Sequence, residues 1–167
     1  MELSKLLLPE FQMEMAGTRK LLERLPDELL AWRLNEKSNT VGGVANHLSD
    51  LPEWVVHTLD KDFLDFRPEG GPPYQTPAET TTSAILERFD RNVAAATGLL
   101  EKATNESLMQ LWSLKQAGTT LFQLPRYNVL RTWVLNHIIH HRGNLCAYCR
   151  EQGVPVPALY GPSADES

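Results

Sequence analysis

Apolar side chains recur at the spacing of one helix face in four stretches of the chain. The first predicted helix runs over about Leu3–Leu25, and its regular part is expected to begin near Pro9, because proline fits best in a first helical turn. A short helical turn is expected at Pro26, and residues 33–39 have the composition of a polar linker. The pattern therefore begins with one amphipathic helix and a turn.

The second predicted helix runs over about Val41–Leu59, with Ser38 or Thr40 as its N-cap. Pro52 lies inside it. A proline at that place removes a backbone hydrogen bond and is expected to kink the helix or to end it early. Lys61–Gln75 is rich in proline and glycine and is predicted to be a loop.

Two further helices complete the pattern. The third opens with the capping box Thr76–Glu79, which places proline at the first helical position, and it ends near Ala103. Ser107–Leu124 fits either a loose hairpin or an extended crossover. The fourth helix covers about Pro125–Gln152, and Gly153 is its predicted C-terminal stop.

Four long amphipathic helices without a clear series of strands predict an all-α fold, a four-helix bundle with long crossover loops. The 167 residues suit a single domain, 1–167, that ends in an irregular tail over 158–167. With 42% hydrophobic and 22% charged residues, the composition is that of an ordinary globular protein.

The net charge of −5 and the lack of a Lys/Arg block argue against binding to nucleic acids or to anionic membranes. The N-terminus lacks the pattern of a signal peptide, and no stretch approaches the roughly 20 apolar residues of a membrane span. Cys146 and Cys149 are the only cysteines. They lie late in a helix, without the helix N-terminus of a redox motif and without a second pair for zinc. We therefore expect a cytoplasmic protein without disulfides.

Three histidines stand on the predicted core-facing stripes, His47 on the second helix and His137 and His141 on the fourth. A four-residue spacing puts two imidazoles on one helix face, which suits two ligands of one metal. Buried imidazoles need polar partners, and one divalent transition metal ion would serve all three. Three protein ligands leave a coordination position open, as catalytic sites do. The alternative is that these are core or partly exposed histidines hydrogen-bonded to carbonyl groups.

Several other residues are candidates for supporting roles. Asp50 and Glu53 follow His47 and could accept a proton in a reaction, although exposed helix charges would need no such explanation. His57 is expected at the surface, and His140 is expected to flank the site.

Five other residues have two interpretations each. Arg142 could pair with an acidic side chain on a neighbouring helix or be solvated, and Gly143 could let another helix come close or simply be tolerated. Trp54, Trp112 and Trp133 could line a pocket over the metal, but tryptophans more often pack in the core.

Residues 137–145, HIIHHRGNL, resemble the H-x-x-H-H-R-G-Q-L signature of the DinB/YfiT-like superfamily of metalloenzymes. Asn46-His47-Leu48 resembles the helix-two motif of that family, and residues 28–33 and 154–162 are similar to two of its other segments. The resemblance runs from the first helix to the tail. Asn144 stands where glutamine is usual, and Pro52 is unusual so soon after His47.

The resemblance implies a four-helix bundle, often a homodimer, in which His47, His137 and His141 bind zinc, nickel or a similar ion. Relatives include transferases that use bacillithiol or mycothiol as co-substrate. It therefore predicts a metal-dependent enzyme for a small molecule, with thiol S-transfer as the first hypothesis. The alternatives are a metal-dependent hydrolase of a small ester or amide, and a non-catalytic dimeric protein of the stress response.

Overall fold

Four long helical segments form the framework of the computed structural model, which describes residues 2–76 and 78–166. Helix α1 (Ser4–Leu22) leads through a 3-10 turn (Asp27–Leu29) to the predicted polar link. α1 begins before Pro9 and not at it, which corrects the expected start. The missing N–H of Pro9 costs one hydrogen bond, but buried Leu7 and Phe11 on either side anchor this turn in the core.

Pro52 divides the second predicted helix into two. Helix α2 (Val41–Asp50) begins at Thr40, whose hydroxyl accepts a hydrogen bond from the Gly43 N–H at 3.0 Å, so the predicted N-cap is confirmed. Helix α3 (Glu53–Asp60) follows immediately after the proline. Because Pro52 has no N–H to continue the ladder, the prediction that it kinks or ends the helix is also confirmed.

Helix α4 (Thr82–Lys102) starts at Thr82, so the predicted capping box Thr76–Glu79 is wrong. Thr81 is the N-cap, and its hydroxyl accepts from the Ala84 N–H. The hydroxyl of Thr76 and the N–H of Glu79 bond instead to side chains of α2. Hydrogen bonds to a distant helix thus replace a local cap. Pro77, the proline of the predicted box, lies outside the described residues.

The fourth predicted helix is continuous, but its middle is wider than an α-helix. Helix α6 (Arg126–Val129) passes into a π-helical segment (Leu130–Asn136) and then into α7 (His137–Glu151). A π-helical stretch shifts the faces of the residues that follow it relative to a regular α-helix. The chain leaves α7 at Gly153, whose φ of +67° is the left-handed conformation expected of a C-terminal stop.

A small sheet corrects the all-α prediction. Strand β1 (Phe63–Asp65) pairs in parallel with β2 (Leu111–Gln116), which pairs antiparallel with β3 (Thr119–Pro125). The hairpin alternative is therefore confirmed, and a short helix α5 (Asn105–Met109) precedes it. β1 lies in the predicted loop Lys61–Gln75. A strand of three residues is too short to show a periodic pattern in the sequence. It forms because it pairs with a distant segment.

The helices pack around one apolar core in an order that differs from their order in the chain. α4 packs against α1, α2 and α3, whereas α7 packs against α1 and α2. The links through residues 23–40 and 103–125 therefore cross the bundle, whereas the link from α3 to α4 joins helices that pack against each other. The crossover loops were expected after the second and third predicted helices, and this is confirmed only for the link after the third. Within the described ranges, no helix is both long and apolar enough to cross a membrane.

A buried ion pair ties α7 to α1. Arg142 and Glu14 are 2% and 3% exposed, and a guanidinium nitrogen lies 2.5 Å from the carboxylate. The Tyr160 hydroxyl donates to the same carboxylate at 2.8 Å, so the tail joins the contact. The predicted pairing of Arg142 is confirmed. Gly143 is exposed with open space where a Cβ would stand, so it is a tolerated glycine.

Replacing Arg142 with leucine would leave the Glu14 carboxylate buried without its cation. We expect the free energy of unfolding to fall by about 3–5 kcal/mol, measured by urea denaturation. The double variant Glu14→Leu/Arg142→Leu should recover most of that loss, because it buries no unpaired charge. A single variant as stable as the wild type would show that the pair does not hold α7 in place.

Candidate metal centre

His47 lies on α2 between two fully packed neighbours. Asn46 and Leu48 are buried, and His47 itself is half-buried. The helix can lie close to the preceding link because Gly42 has no side chain: a Cβ there would stand 2.8 Å from the Leu30 carbonyl oxygen. The Gly42 N–H donates to that same oxygen at 2.8 Å. This close approach sets the first turns of α2 against the link that also borders the site.

His137 and His141 lie at the edge of the buried face of α7, not in its middle as the sequence pattern predicted. The buried positions of α7 are Ile138, Arg142, Leu145 and Cys149. Both histidines are half-buried. The π-helical segment before His137 explains the error, because a stripe traced through it at α-helical spacing is displaced. A position at the margin of the core leaves part of each imidazole exposed.

The three imidazoles meet through their Nε2 atoms. The Nε2 of His137 lies 3.3 Å from that of His47 and 2.9 Å from that of His141. The candidate ligand atoms all lie within 4.8 Å of one another, and this is the only such His/Cys/Asp/Glu cluster among the described residues. The structure therefore brings together the three histidines that the sequence singled out.

Hydrogen bonds alone do not account for this arrangement. A ring nitrogen carries either one hydrogen or one lone pair, so the Nε2 of His137 cannot bond well to both neighbours at once. Nitrogens bound to zinc at about 2.0–2.1 Å in tetrahedral geometry would lie roughly 3.3 Å apart. The distance between His47 and His137 is 3.3 Å, and that between His137 and His141 is 2.9 Å. The donor set thus fits a divalent transition metal ion.

Burial keeps the three imidazoles neutral. It lowers the pKa of both His47 and His141 to about 4, with a smaller contribution from the neighbouring histidines. It also lowers the pKa of His137, against a hydrogen bond to the Trp133 backbone that favours the charged form. Neutral imidazole is the form that binds metals.

The cluster opens into a cavity of about 720 Å³. His47 and His141 belong to its wall, together with the first turns of α2 and the link that contains Leu30. The remaining wall is the extended segment before α4, which contributes Thr76 and Glu79. A small molecule in this cavity would therefore reach any ion held by the histidines.

The two predicted proton acceptors do not line this cavity. Asp50 is 1% exposed, and its carboxylate accepts hydrogen bonds from the Tyr74 hydroxyl at 2.8 Å and the Thr76 hydroxyl at 3.1 Å. Glu53 is half-buried at the start of α3. The carboxylates on the wall are Asp27 and Glu79. Sequence reasoning missed them because they belong to segments far from the histidines in the chain.

The two histidines outside the triad differ from each other. His140 is exposed, and its Nε2 contacts the Asn144 amide at 3.3 Å, in keeping with a flanking role. His57 is 9% exposed, so the prediction of a surface position is wrong. It packs against Tyr74, with ring centroids 5.6 Å apart, and burial lowers its pKa. Val55 and Thr58 are the other buried residues of α3, so His57 belongs to the buried face of this helix.

The tryptophans belong mainly to a second apolar cluster, between the sheet and the helices. Trp112 is fully buried there, with Trp54 and Trp133 packed against it. Trp133 also meets His137 edge-on, with ring centroids 6.4 Å apart. The core interpretation is therefore confirmed for Trp112. The thiols of Cys146 and Cys149 are free, and burial raises the pKa of each, as expected of unreactive cysteines.

Comparisons with known proteins agree with this geometry. The family model described as the DinB family matches residues 1–167. YrdA, an uncharacterized protein of Bacillus subtilis (strain 168), is 24% identical over 159 residues, which are 95% of this chain and 89% of that protein. A solved DinB-like protein from Bacillus cereus has a TM-score of 0.72 at 25% identity, over 92% of this chain and 95% of that chain.

A further solved structure carries a functional description. YfiT from Bacillus subtilis, described as a probable metal-dependent hydrolase with an unusual four-helix bundle topology, has a TM-score of 0.67 at 18% identity. The match covers 91% of this chain and 89% of that chain. At this identity the comparison shows a shared fold, and the three-histidine cluster of this chain fits a metal-dependent enzyme independently.

Substituting one ligand should remove the metal. We expect protein purified without a polyhistidine tag to hold about one equivalent of metal, and His137→Ala to hold about a tenth of that or less, because two imidazoles bind far more weakly than three. Elemental analysis measures the content. His140→Ala is the matched control on the same helix and should keep its metal. Full metal content in His137→Ala would refute the assignment.

Acid should destabilise the metal-free protein. The folded pKa of His47 and His141 is about 4, whereas the ordinary value is 6.5. Between these values the unfolded chain binds more protons, so stability rises with pH in that window. We expect full stability above about pH 6.5 and progressive loss towards about pH 4. Urea denaturation with a chelator present measures this. His47→Asn should flatten the slope, and an unchanged slope would contradict the argument.

Proposed function

Because the chain belongs to the DinB family, we propose that it is a metal-dependent enzyme whose ion is held by His47, His137 and His141. The observation that carries the proposal is the convergence of three imidazoles, two of which, those of His47 and His141, line an open cavity. A structural metal site is closed by four protein ligands, whereas three ligands leave a position for a reactant.

The reaction that we propose first is transfer of a low-molecular-weight thiol to an electrophilic carbon. When bound, a divalent ion would act as a Lewis acid that lowers the pKa of a thiol or a water molecule reaching it from the cavity. The sulfur forms the new bond to carbon, the leaving group departs with its electron pair, and the thiol proton passes to a carboxylate. Bacillithiol and mycothiol are the co-substrates that the motif resemblance suggests.

The chain's own residues contribute binding and orientation. The imidazoles remain neutral at neutral pH because of burial, so protons do not compete strongly with an ion. The hydrogen bond from His137 to the Trp133 backbone helps to orient one of the three rings. Asp50 and Glu53 stay predictions as proton acceptors, and for Asp50 the burial beneath Tyr74 and Thr76 counts against direct access to a substrate.

Hydrolysis of a small ester or amide is the second candidate. It is favoured by the carboxylate of Glu79 on the same cavity wall, since metal-assisted hydrolysis needs a group that accepts a proton from water. The description of YfiT as a probable metal-dependent hydrolase points the same way for a protein of this fold.

The remaining features of the proposal rest on the motif resemblance. We propose zinc or nickel as the ion, because both accept imidazole ligands. The substrate is a small molecule, in keeping with the cavity volume of about 720 Å³. We propose that the protein acts in the cytoplasm as a homodimer.

Thiol dependence decides between the two reactions. Metal-loaded protein is mixed with an alkylating electrophile and bacillithiol, mycothiol or glutathione in turn, and formation of the thioether is followed. We expect acceleration of about a hundredfold or more with one thiol, lost on removal of the metal and in His137→Ala, and kept in His140→Ala.

The other outcomes are equally specific. No acceleration with any thiol rules out the transferase, and turnover of an ester or amide panel without thiol then supports the hydrolase. A protein that turns over nothing and melts at the same temperature with and without metal would be a binding protein, and the enzymatic proposal would be wrong.

A further inference from the structure

Asn46, next to His47 on α2, holds the backbone of Glu79 from both sides. The Glu79 N–H donates to Asn46 Oδ1 at 2.8 Å, and Asn46 Nδ2 donates to the Glu79 carbonyl at 2.9 Å. The side-chain amide thus pairs with the backbone of Glu79 as one strand residue pairs with another. This pairing connects the cavity wall to the residue beside a candidate metal ligand, across 33 positions of the chain.

Other contacts keep the Asn46 amide in place. Asn46 Nδ2 also donates to the Gly42 carbonyl at 2.9 Å, and Arg88 donates to Asn46 Oδ1 at 2.9 Å. Asn46 is 7% exposed and Arg88 is 4% exposed. With both donors and both acceptor sites of the amide engaged, its orientation is determined. A buried amide with a complete set of partners is a rigid support.

The backbone of Glu79 is bonded to Asn46, whereas its side chain belongs to the cavity wall. The side chain lines the cavity together with His47 and His141, and it is 35% exposed. Its carboxylate lies 3.7 Å from the Arg88 guanidinium, which is longer than a hydrogen bond. Asp27, the other carboxylate of the wall, accepts from the Thr82 N–H at 2.7 Å at the start of α4. Glu79 is therefore the wall carboxylate better placed to accept a proton from a bound molecule.

We propose that Glu79 is the proton acceptor for the nucleophile in this cavity, and that Asn46 is its positioning residue. The inference rests on the proposed metal-dependent function. In thiol transfer the S–H proton passes to the Glu79 carboxylate while its electron pair stays on sulfur and forms the bond to carbon. In hydrolysis the same carboxylate takes a proton from water. Because Asn46 and His47 are consecutive on one helix, the proton acceptor and a metal ligand are held by the same turn.

A small ligand that loses a proton on binding to zinc tests this without any turnover. The probe is acetohydroxamic acid, titrated calorimetrically into zinc-loaded protein in two buffers of different ionisation enthalpy, which counts the protons given to the buffer. If Glu79 takes the proton of the hydroxamic acid, the wild type should release nearly none. Glu79→Gln should release about one proton and bind the probe about tenfold more weakly or worse, with the zinc content unchanged.

Matched variants separate proton transfer from charge and folding. Glu87→Gln removes the same charge from an exposed position on α4 and should behave as the wild type. Asn46→Ala should weaken the binding of the probe severalfold and raise the number of protons released to the buffer. Asn92→Ala, which removes another amide that donates to the α2 backbone, should change neither. If Asn46→Ala fails to fold, Asn46→Asp keeps the acceptor for the Glu79 N–H and should give an intermediate effect.

Each result has one meaning. Equal affinity and equal proton release in Glu79→Gln and the wild type would overturn the role of Glu79, as would zinc-loaded protein that does not bind the probe. Either result leaves the metal proposal standing, since zinc is still bound. A wild-type protein that binds no zinc, nickel or other divalent ion overturns the proposed function and this inference with it. An unchanged response in folded Asn46 variants would overturn the positioning role alone.

Discussion

The contact between α2 and α7 is the one on which the candidate centre depends, because α2 carries His47 and α7 carries His137 and His141. A metal tolerates only small errors in the positions of its ligands, so the two helices must meet in one register. Apolar packing supplies most of the attraction, but it is not directional. The buried pair Arg142–Glu14 adds a directional constraint one residue after His141, since sliding α7 along α1 would separate the two charges.

Buried polar side chains of α2 hold the segment that forms another wall of the cavity. Asn46, Ser49 and Asp50 are buried on this helix, where an amphipathic pattern alone would place apolar residues. Their partners are Arg88 of α4 and the extended segment before it, including Tyr74 and Thr76. This segment has almost no regular structure, so its position depends on side chains of α2. One helix therefore provides a metal ligand and also supports the wall of the cavity.

The position of the histidines at the margin of the core explains how the site can favour neutral imidazoles and still be accessible. Partial burial lowers the pKa of His47 and His141 to about 4, which favours their neutral form. The cavity on the open side admits a small molecule. Membership of the DinB family and the shared fold with YfiT are consistent with such a site, but a bundle of this kind can host several reactions. The reaction is decided by the cavity walls, which come from α2 and from the links between the helices.

The sequence by itself determined the four helical segments, the N-cap at Thr40, the break at Pro52, the stop at Gly153 and the identity of the three histidines. These features depend on local rules: helical periodicity, the missing N–H of proline, the freedom of glycine and the chemistry of imidazole. The pairing of Arg142 with an acidic residue was also foreseeable, although its partner was not. Each of these features can be recognised from a few neighbouring residues in the sequence.

Only the tertiary structure decided the rest. β1 exists because Phe63–Asp65 meets Ser113–Lys115, and α4 starts at Thr82 because Thr76 and Glu79 bond to α2 instead of capping a helix. His57 is buried and packs against Tyr74, which comes from a distant segment, and His137 and His141 lie at the edge of the core because a π-helical segment precedes them. Glu79 lies on the same cavity wall as His47 because its backbone pairs with Asn46. Apart from the π-helical segment, the deciding contact in each case joins residues far apart in the chain, and no local sequence pattern indicates it.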